Sequence, residues 1–202
     1  DVLVSSGEQV ACSLIAGRLI HLGLKSRSWL AWQIPIFTKG LHNNSRIFHI
    51  NKSKIIKFLK DGGIPIITGF QGVNNEERVT TIGRGGSDAS AIMVAKYFQA
   101  HRCVIYTDVE GVFTTDPNKL KKAKKISYIS YEEMLEMASM GAKVMQPVSI
   151  QYARVNRSNI EVKSTCINKP GTLITKRYNL KNTKMITRIL STHQYLKLSD
   201  MG

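Results

Sequence analysis

Residues 79–88 read VTTIGRGGSD, and this stretch decides the fold class that the sequence predicts. The β-branched run at 79–82 is typical of a short strand, and the pattern of 89–100 predicts a helix. Three glycines in the connection allow backbone amides to approach a ligand, and the helix behind them presents the positive end of its dipole. The stretch therefore predicts an anion-binding loop between a strand and a helix or, in the simpler alternative, a tight strand-to-helix turn.

Strand and helix patterns alternate on both sides of this stretch. Residues 64–68 and 103–107 are short apolar runs, which predict strands buried on both faces. Ser130 and Glu133 have the spacing of a capping box at the start of a helix. The alternation predicts an α/β fold, a three-layer α/β/α sandwich with a mainly parallel sheet.

Apolar residues at helical spacing predict the remaining helices. The clearest case is 8–22, which we expect to bury one apolar stripe. The stripe consists of Ala11, Ile15, Leu19 and Leu22. Further helices are predicted at 53–59, 131–140 and after Pro147, and a further strand at 160–164.

Length and composition bound the class of protein. The 202 residues, of which 43% are hydrophobic, suffice for one domain with a buried core. Three cysteines cannot form a disulfide framework, so Cys12, Cys103 and Cys166 are predicted to be buried thiols in a reducing cytosol. No apolar run reaches the ~18–20 residues of a membrane-spanning helix, which predicts a cytoplasmic protein without a membrane partner. The first residues resemble no secretion signal and look like a cut into a longer protein.

The charge balance raises the question of a nucleic-acid partner. The 29 Lys and Arg residues exceed the 14 Asp and Glu residues and give a net charge of +15. The basic residues are spread along the chain, and their one cluster, at 119–125, contains no aromatic residue that stacks on bases. The favoured interpretation is a solvated lysine-rich loop and no nucleic-acid partner. A basic nucleic-acid-binding domain stays the last alternative, and it would show salt-sensitive retention on a polyanion column.

Three other segments carry residues that suit chemistry. Residues 106–117 follow a predicted strand and end in Asp-Pro, which alone indicates only a turn. Lys143 follows a predicted helix end, where a surface lysine is the simpler interpretation, and Glu8 begins another helix, where it suits the dipole. Because ligands of parallel sheets bind at the carboxyl ends of the strands, we expect the site at that edge.

In this order along the chain, these segments resemble the aspartokinases, a branch of the amino acid kinase family. The resemblance runs from about Ser5 to Ile174 and distinguishes aspartokinases from the sister kinases for glutamate, acetylglutamate, uridylate and carbamate. The segments that carry it are SGEQ (6–9), GFQG (69–72), TTIGRGGSD (80–88), YTD, GV and DP within 106–117, YEEMLEMA (131–138), GAKV (141–144), VKS (162–164) and GT (171–172).

The resemblance implies an ATP-dependent phosphorylation of the β-carboxylate of L-aspartate to 4-phospho-L-aspartate. This reaction is the first step of lysine, diaminopimelate, threonine and methionine biosynthesis. The resemblance further implies ATP and Mg²⁺ as cofactors, L-aspartate as the other ligand and a homo-oligomer as the intact assembly. A carboxylate is already a nucleophile, so the site is expected to align two anions and to neutralise the transferring phosphoryl group.

The family's functional residues carry over to the positions that match its motifs. The implied substrate-binding residues are Glu8 for the amino group, Arg84 for the α-carboxylate, and Gly85, Gly86 and Ser87 as donors beside the substrate. The implied catalytic residues are Asp88, which would orient the cationic groups, and Lys143, which would reach the ATP phosphates. The implied nucleotide-binding residues are Thr107, Asp108, Phe113, Thr114, Thr115, Asp116 and Lys143. No residue is assigned to a protein-held metal, because Mg²⁺ is expected to bridge the phosphates.

The same resemblance divides the chain into two parts. Residues 1–175 correspond to an aspartokinase catalytic domain without its first strand, and residues 176–202 to a linker and the opening of an ACT regulatory domain. In the family that first strand carries a KFGGTS segment, whose lysine acts in phosphoryl transfer, and this sequence contains no such segment. The difference favours the alternative hypothesis, a catalytically inactive fragment or subunit that binds a ligand or partner without turnover. Smaller departures from the family pattern lie at Lys39, Gln146 and Val148.

Overall fold

The computed structural model describes residues 1–142 and 144–176. The chain forms two compact units, divided between Ala100 and His101. Within the described residues, four of the seven strand pairings are parallel, and helices separate groups of two or three strands. The predicted α/β class with mainly parallel pairing is confirmed, and the pairings are distributed over three sheets in this part of the chain.

The first unit contains two sheets and three helices among its elements. These elements are α1 (Val2–His21), β1 (Ser26–Trp29), β2 (Ile36–Lys39), β3 (Arg46–Ile50), α2 (Ser53–Lys60), β4 (Ile64–Ile67), β5 (Gln71–Val73), β6 (Val79–Thr81) and α3 (Gly86–Tyr97). β1 and β4 form a parallel pair, and the second sheet has the order β3-β2-β5-β6, with a parallel contact between β2 and β5. The core of this unit includes the fully buried side chains of Ile34, Ile36, Ile50, Ile55 and Ile92.

The described part of the second unit is built on one four-stranded sheet. Its elements are β7 (Cys103–Thr107), β8 (Tyr128–Ser130), α4 (Tyr131–Ser139), α5 (Pro147–Asn156), β9 (Ile160–Ser164) and β10 (Thr172–Thr175). The strand order is β7-β9-β10-β8, with β9 and β10 antiparallel and the outer pairings parallel. Helices α4 and α5 pack together, and Val112, Met134, Ile150, Ile160 and Ile174 are fully buried.

The start of α4 confirms the predicted capping box. The Ser130 hydroxyl oxygen accepts from the Glu133 backbone N–H at 3.2 Å, and Glu133 Oε2 accepts from the Ser130 backbone N–H at 2.9 Å. Two amides that the helix itself leaves unpaired are thereby satisfied. Pro147 occupies the start of α5, where its missing N–H costs no helical hydrogen bond.

Helix α1 buries a different face from the predicted apolar stripe. Its buried residues are Ser5, Cys12 and Ala16, whereas Ile15 and Leu22 are 52% and 56% exposed. The helix packs on β1 and β4, and small side chains allow a helix to approach strands closely. Side-chain size, and not hydrophobicity, therefore selects the inward face. No helix in the described ranges is both long and apolar enough for a membrane crossing.

Three other burial predictions were wrong. Strand β4 is not buried on both faces, because Ile64 is 39% exposed and the rest of the strand is half-buried, and β7 leaves Tyr106 62% exposed. Among the described residues β4 has one neighbouring strand and β7 lies at a sheet edge, so each has a less covered side. Cys12 and Cys103 are buried as predicted, but Cys166 is exposed because it follows the end of β9.

Candidate functional site

The glycine-rich loop lies between β6 and α3, as the opening stretch predicts. β6 ends at Thr81, and α3 begins at Gly86, three residues earlier than expected. Gly83 has φ +85°, and a Cβ built there would lie 2.8 Å from the backbone oxygen of Asn43. Gly85, with φ +77°, is the N-cap of α3. Both positions therefore require glycine, for backbone conformation and, at Gly83, also for space.

Two of the predicted substrate-binding residues meet at the start of α3. The Ser87 hydroxyl donates to Glu8 Oε1 at 2.9 Å, so a carboxylate carried by α1 reaches the helix terminus behind the loop. Glu8 is half-buried and Ser87 is exposed. Arg84 is exposed on the loop, and Gly86 is buried. The contact places the negatively charged carboxylate of Glu8 beside the positive end of the α3 dipole.

Asp88 lies in the first turn of α3 and is half-buried. Burial raises the pKa of its carboxyl above the ordinary value, because removal from water disfavours the charged form. A raised pKa of this kind is typical of carboxylates at functional sites, although structural carboxylates show it as well. That Asp88 faces a cationic group when the site is loaded stays a prediction.

Gln71 connects α1 to the sheet beside the loop, a role that the sequence did not indicate. Its side chain is fully buried, its Nε2 donates to the Ser5 carbonyl at 3.2 Å, and its Oε1 accepts from Gln9 Nε2 at 3.2 Å. The segment 69–72 appears in the sequence only as a family motif. Because the partners are 62 and 66 residues away, spacing along the chain could not have shown them.

Ser90 connects the same segment to α3. Its hydroxyl oxygen accepts from the Phe70 backbone N–H at 2.9 Å and donates to the Gly86 carbonyl at 2.7 Å. Phe70 has φ +66°, in the left-handed region that non-glycine residues rarely adopt. The Ser90 hydrogen bond contributes to holding this residue in place. Ser90 is thus a supporting residue that sequence reasoning missed.

The second unit carries the residues predicted to contact a nucleotide, starting at the carboxyl end of β7. The Thr107 hydroxyl donates to Asp108 Oδ1 at 3.1 Å and accepts from the Val109 backbone N–H at 3.0 Å. The Thr107 carbonyl accepts from the backbone N–H of Thr165 at 2.8 Å and from its hydroxyl at 3.1 Å. This arrangement turns the chain sharply after the strand.

The loop continues through the other predicted nucleotide residues. Phe113 forms a bridge with Lys125, and the Thr114 backbone N–H donates to the Lys124 carbonyl at 2.9 Å. Asp116 Oδ1 accepts from the Asn118 backbone N–H at 2.9 Å, so this carboxylate serves the turn that Asp-Pro predicts. Residues 113–115 are half-buried, and Asp116 is exposed. Lys143, the remaining predicted residue, lies outside the described residues.

Thr172 anchors this loop from β10. Its buried hydroxyl oxygen accepts from the Val112 backbone N–H at 2.8 Å and donates to the Ile126 carbonyl at 2.6 Å. Gly111 packs so closely that an added Cβ would lie 2.6 Å from Thr172 Oγ1. The sequence showed Thr172 only as part of a motif, and its partners are 46 and 60 residues away.

No group of three or more His, Cys, Asp or Glu side chains within 1–142 and 144–176 is arranged to hold a metal ion.

Comparison with known proteins identifies related chains. The model of the amino acid kinase family matches residues 1–164. An aspartokinase of Geobacillus stearothermophilus is 41% identical over 202 residues, which is 100% of this chain and 50% of the relative. An aspartokinase of Rickettsia felis is 44% identical over 200 residues, 98% of this chain and 50% of the relative. The solved structure of E. coli aspartokinase III in complex with aspartate and ADP (R-state) matches with a TM-score of 0.80 and 30% identity, over 88% of this chain and 41% of that chain. The chain spans about half the length of the curated relatives it matches.

Proposed function

Because this chain belongs to the amino acid kinase family, we propose that it acts as an aspartate kinase, transferring the γ-phosphoryl group of ATP to the β-carboxylate of L-aspartate. The observation that carries the proposal is the 2.9 Å hydrogen bond between Ser87 and Glu8 beside the glycine loop. This contact places the carboxylate of Glu8 beside the positive end of the α3 dipole. The carboxylate suits the ammonium group of an amino acid, and the dipole suits its carboxylate. The choice of aspartate is supported by the relatives, which are aspartokinases, and by the E. coli structure, which contains aspartate and ADP.

The proposed substrate half-site recognises the charged end of the amino acid. Glu8 accepts from the α-ammonium group, and its orientation is held by Ser87. Arg84, exposed on the loop, offers a planar pair of donors to the α-carboxylate. Gly85 and Gly86 bring the start of α3, with the positive end of its dipole, toward the same anion. The β-carboxylate is thereby left to react.

The proposed nucleotide-binding residues follow β7. Thr107 and Asp108 contact the nucleotide, the four residues 113–116 line its pocket, and Lys143 reaches the phosphates. Mg²⁺ arrives with ATP as part of the substrate and neutralises charge on the phosphates. Support comes from the loop itself, since Thr172 holds Val112 at 2.8 Å and so restrains the segment that precedes residue 113.

The proposed reaction needs no strong base. An oxygen of the β-carboxylate, which is ionised at neutral pH, attacks the γ-phosphorus in line. The bond from that phosphorus to the oxygen bridging to the β-phosphate breaks, ADP leaves with the electron pair, and an acyl phosphate forms. Asp88 acts as a positioning group for the cations, and a cation beside it would favour its charged form despite burial.

The domain division and the assembly belong to the same proposal. Residues 1–175 correspond in this proposal to the catalytic domain, and the predicted linker and opening of an ACT regulatory domain at 176–202 lie, apart from residue 176, outside the described residues. The intact protein acts in the cytoplasm as a homo-oligomer.

Titration calorimetry tests the substrate half-site. We expect saturable binding of L-aspartate and, separately, of Mg-ATP to the unsubstituted chain. Arg84→Ala should weaken aspartate binding by about 10- to 100-fold, because a charge-assisted pair is lost, and leave Mg-ATP binding unchanged. Arg78→Ala, at an exposed arginine in the turn between β5 and β6, is the matched control and should change neither. Absence of aspartate binding by the unsubstituted chain would contradict the proposal.

A further inference from the structure

Asp1 makes an unusual set of hydrogen bonds. Its side chain makes no capping hydrogen bond to α1, the helix that follows it. Its Oδ2 accepts from the backbone N–H groups of Thr81 at 2.9 Å and Asn43 at 3.2 Å, and its Oδ1 accepts from the Thr81 hydroxyl at 3.0 Å. His42 Nδ1 lies 2.8 Å from Oδ2. The Asp1 side chain is only 6% exposed, whereas that of His42 is 58% exposed.

This pattern indicates that the carboxylate serves a distant segment. The carboxylate oxygens of Asp1 form hydrogen bonds with groups 41 to 80 residues away along the chain. A carboxylate this buried requires such hydrogen-bond donors. Thr81 supplies two of the donors and is fully buried itself.

The partners of Asp1 lie at the entry to the glycine loop. Thr81 ends β6, two residues before Gly83, and its carbonyl accepts from the Ser45 backbone N–H at 3.0 Å. Asn43 provides the backbone oxygen that a Cβ at Gly83 would approach to 2.8 Å. Asp1 therefore links the segment 42–45 to the end of β6. Gly83, the first loop position that requires glycine, packs against the same segment.

Helix α1 also contacts the far end of the same loop. Glu8, seven residues or about two helical turns from Asp1, accepts from Ser87 at 2.9 Å. One helix is thus attached before the loop through Thr81 and after the loop through Ser87. The position of Glu8 relative to residues 83–86 depends on both attachments.

We propose that Asp1 is a positioning residue that fixes α1 against the entry of the glycine loop and so sets the affinity of the Glu8 half-site for an amino acid substrate. The inference rests on the proposed function and deepens it. Asp1 itself does not touch the substrate. Its loss is expected to disturb amino acid binding and to leave nucleotide binding unchanged, because the proposed nucleotide residues belong to the second unit.

The test compares two substitutions of Asp1 by titration calorimetry with L-aspartate and with Mg-ATP. Asp1→Ala removes every acceptor and should raise the Kd for aspartate about tenfold or more, with the Kd for Mg-ATP changed less than about twofold. Asp1→Asn keeps an oxygen that can accept from Thr81 and should recover most of the affinity. Asp61→Ala, at an exposed aspartate after α2, is the matched control and should match the unsubstituted chain.

A second pair of variants keeps the proposal testable if Asp1→Ala does not fold. Thr81→Val removes the hydroxyl donor and should weaken aspartate binding, and Thr81→Ser should restore it. Unchanged aspartate affinity in Asp1→Ala would overturn this inference but not the proposed function. If Asp1→Ala does not fold, unchanged affinity in Thr81→Val has the same meaning. Equal weakening of aspartate and Mg-ATP binding would also overturn the inference. A lack of aspartate binding by the unsubstituted chain would overturn the proposed function and the inference with it.

Discussion

At the scale of single residues, Asp88 shows how burial and function oppose each other. Burial raises the pKa of its carboxyl, so the folded chain holds this proton more tightly than the unfolded chain does. Between the unfolded and the folded pKa, the free energy of unfolding therefore falls as the pH rises. Above that interval the ionised carboxylate lowers the stability of the chain.

Asp88→Asn should accordingly raise the thermal midpoint of the chain at pH 7 and remove this part of its pH dependence. The same substitution should lower turnover by about 10²-fold, because a positioned charge at the site is lost. Thermal melts between pH 4 and 8, together with an assay of ADP release, check both expectations. Glu76→Gln, at an exposed turn residue, is the control and should change neither quantity. A lower midpoint at pH 7 in Asp88→Asn would contradict the burial argument.

The sequence indicated some of the site residues but not their supports. Glu8 and Ser87 were placed in one site by resemblance, and the structure brings them within 2.9 Å. The hydrogen bonds of Asp1, Gln71 and Thr172 were not predicted. Each residue acts through hydrogen bonds to partners at least 41 residues away, and such pairs are formed by the fold and not by local spacing.

At the scale of elements, the predictions succeeded where local signals are strong. The strand at 103–107 and the capping box at Ser130 occur as predicted, since an apolar run and a cap are both visible in neighbouring residues of the sequence. Strands such as β1 (SRSW) and β5 (QGV) were missed, because three or four mixed residues carry no period. These strands form through pairing with distant segments. The prediction of which face of α1 packs inward was wrong for a related reason, because close contact with β1 and β4 favours small residues.

Strand β10 offers a test of how one element holds the proposed nucleotide loop. Thr172→Val removes the acceptor for the buried Val112 N–H and the donor to Ile126, which should lower the free energy of unfolding by about 1–3 kcal/mol. It should also raise the KM for ATP more than the KM for aspartate. Thr172→Ser keeps the hydroxyl and should restore both. Chemical denaturation and steady-state kinetics give the two readouts.

Thr175→Val is the matched control on the same strand. Its hydroxyl donates to Asn159 Oδ1 in an exposed position, so its loss should cost little. If Thr172→Val and Thr175→Val were equally stable and equally active, the anchoring role of Thr172 would be wrong.

At the scale of the whole molecule, the fold class was predictable because helices separate successive groups of strands in the described chain. The net charge of +15 was a weaker guide, since charge reports on partners and solubility and not on fold. Each unit carries one set of proposed residues, those for the amino acid within 1–100 and those for the nucleotide within 101–202. An activity that needs both sets is therefore the property that tests the whole chain.

The most direct measurement is the formation of an acyl phosphate from L-aspartate and Mg-ATP, trapped with hydroxylamine as the hydroxamate and compared with ADP release. The account predicts hydroxamate and ADP in equal amounts, with L-aspartate required for both and L-glutamate inactive. Arg84→Ala should reduce both products together, while Arg78→Ala should leave them unchanged. Binding of both ligands without any hydroxamate would contradict the proposed kinase activity and support the alternative, a chain that binds its ligands without turnover.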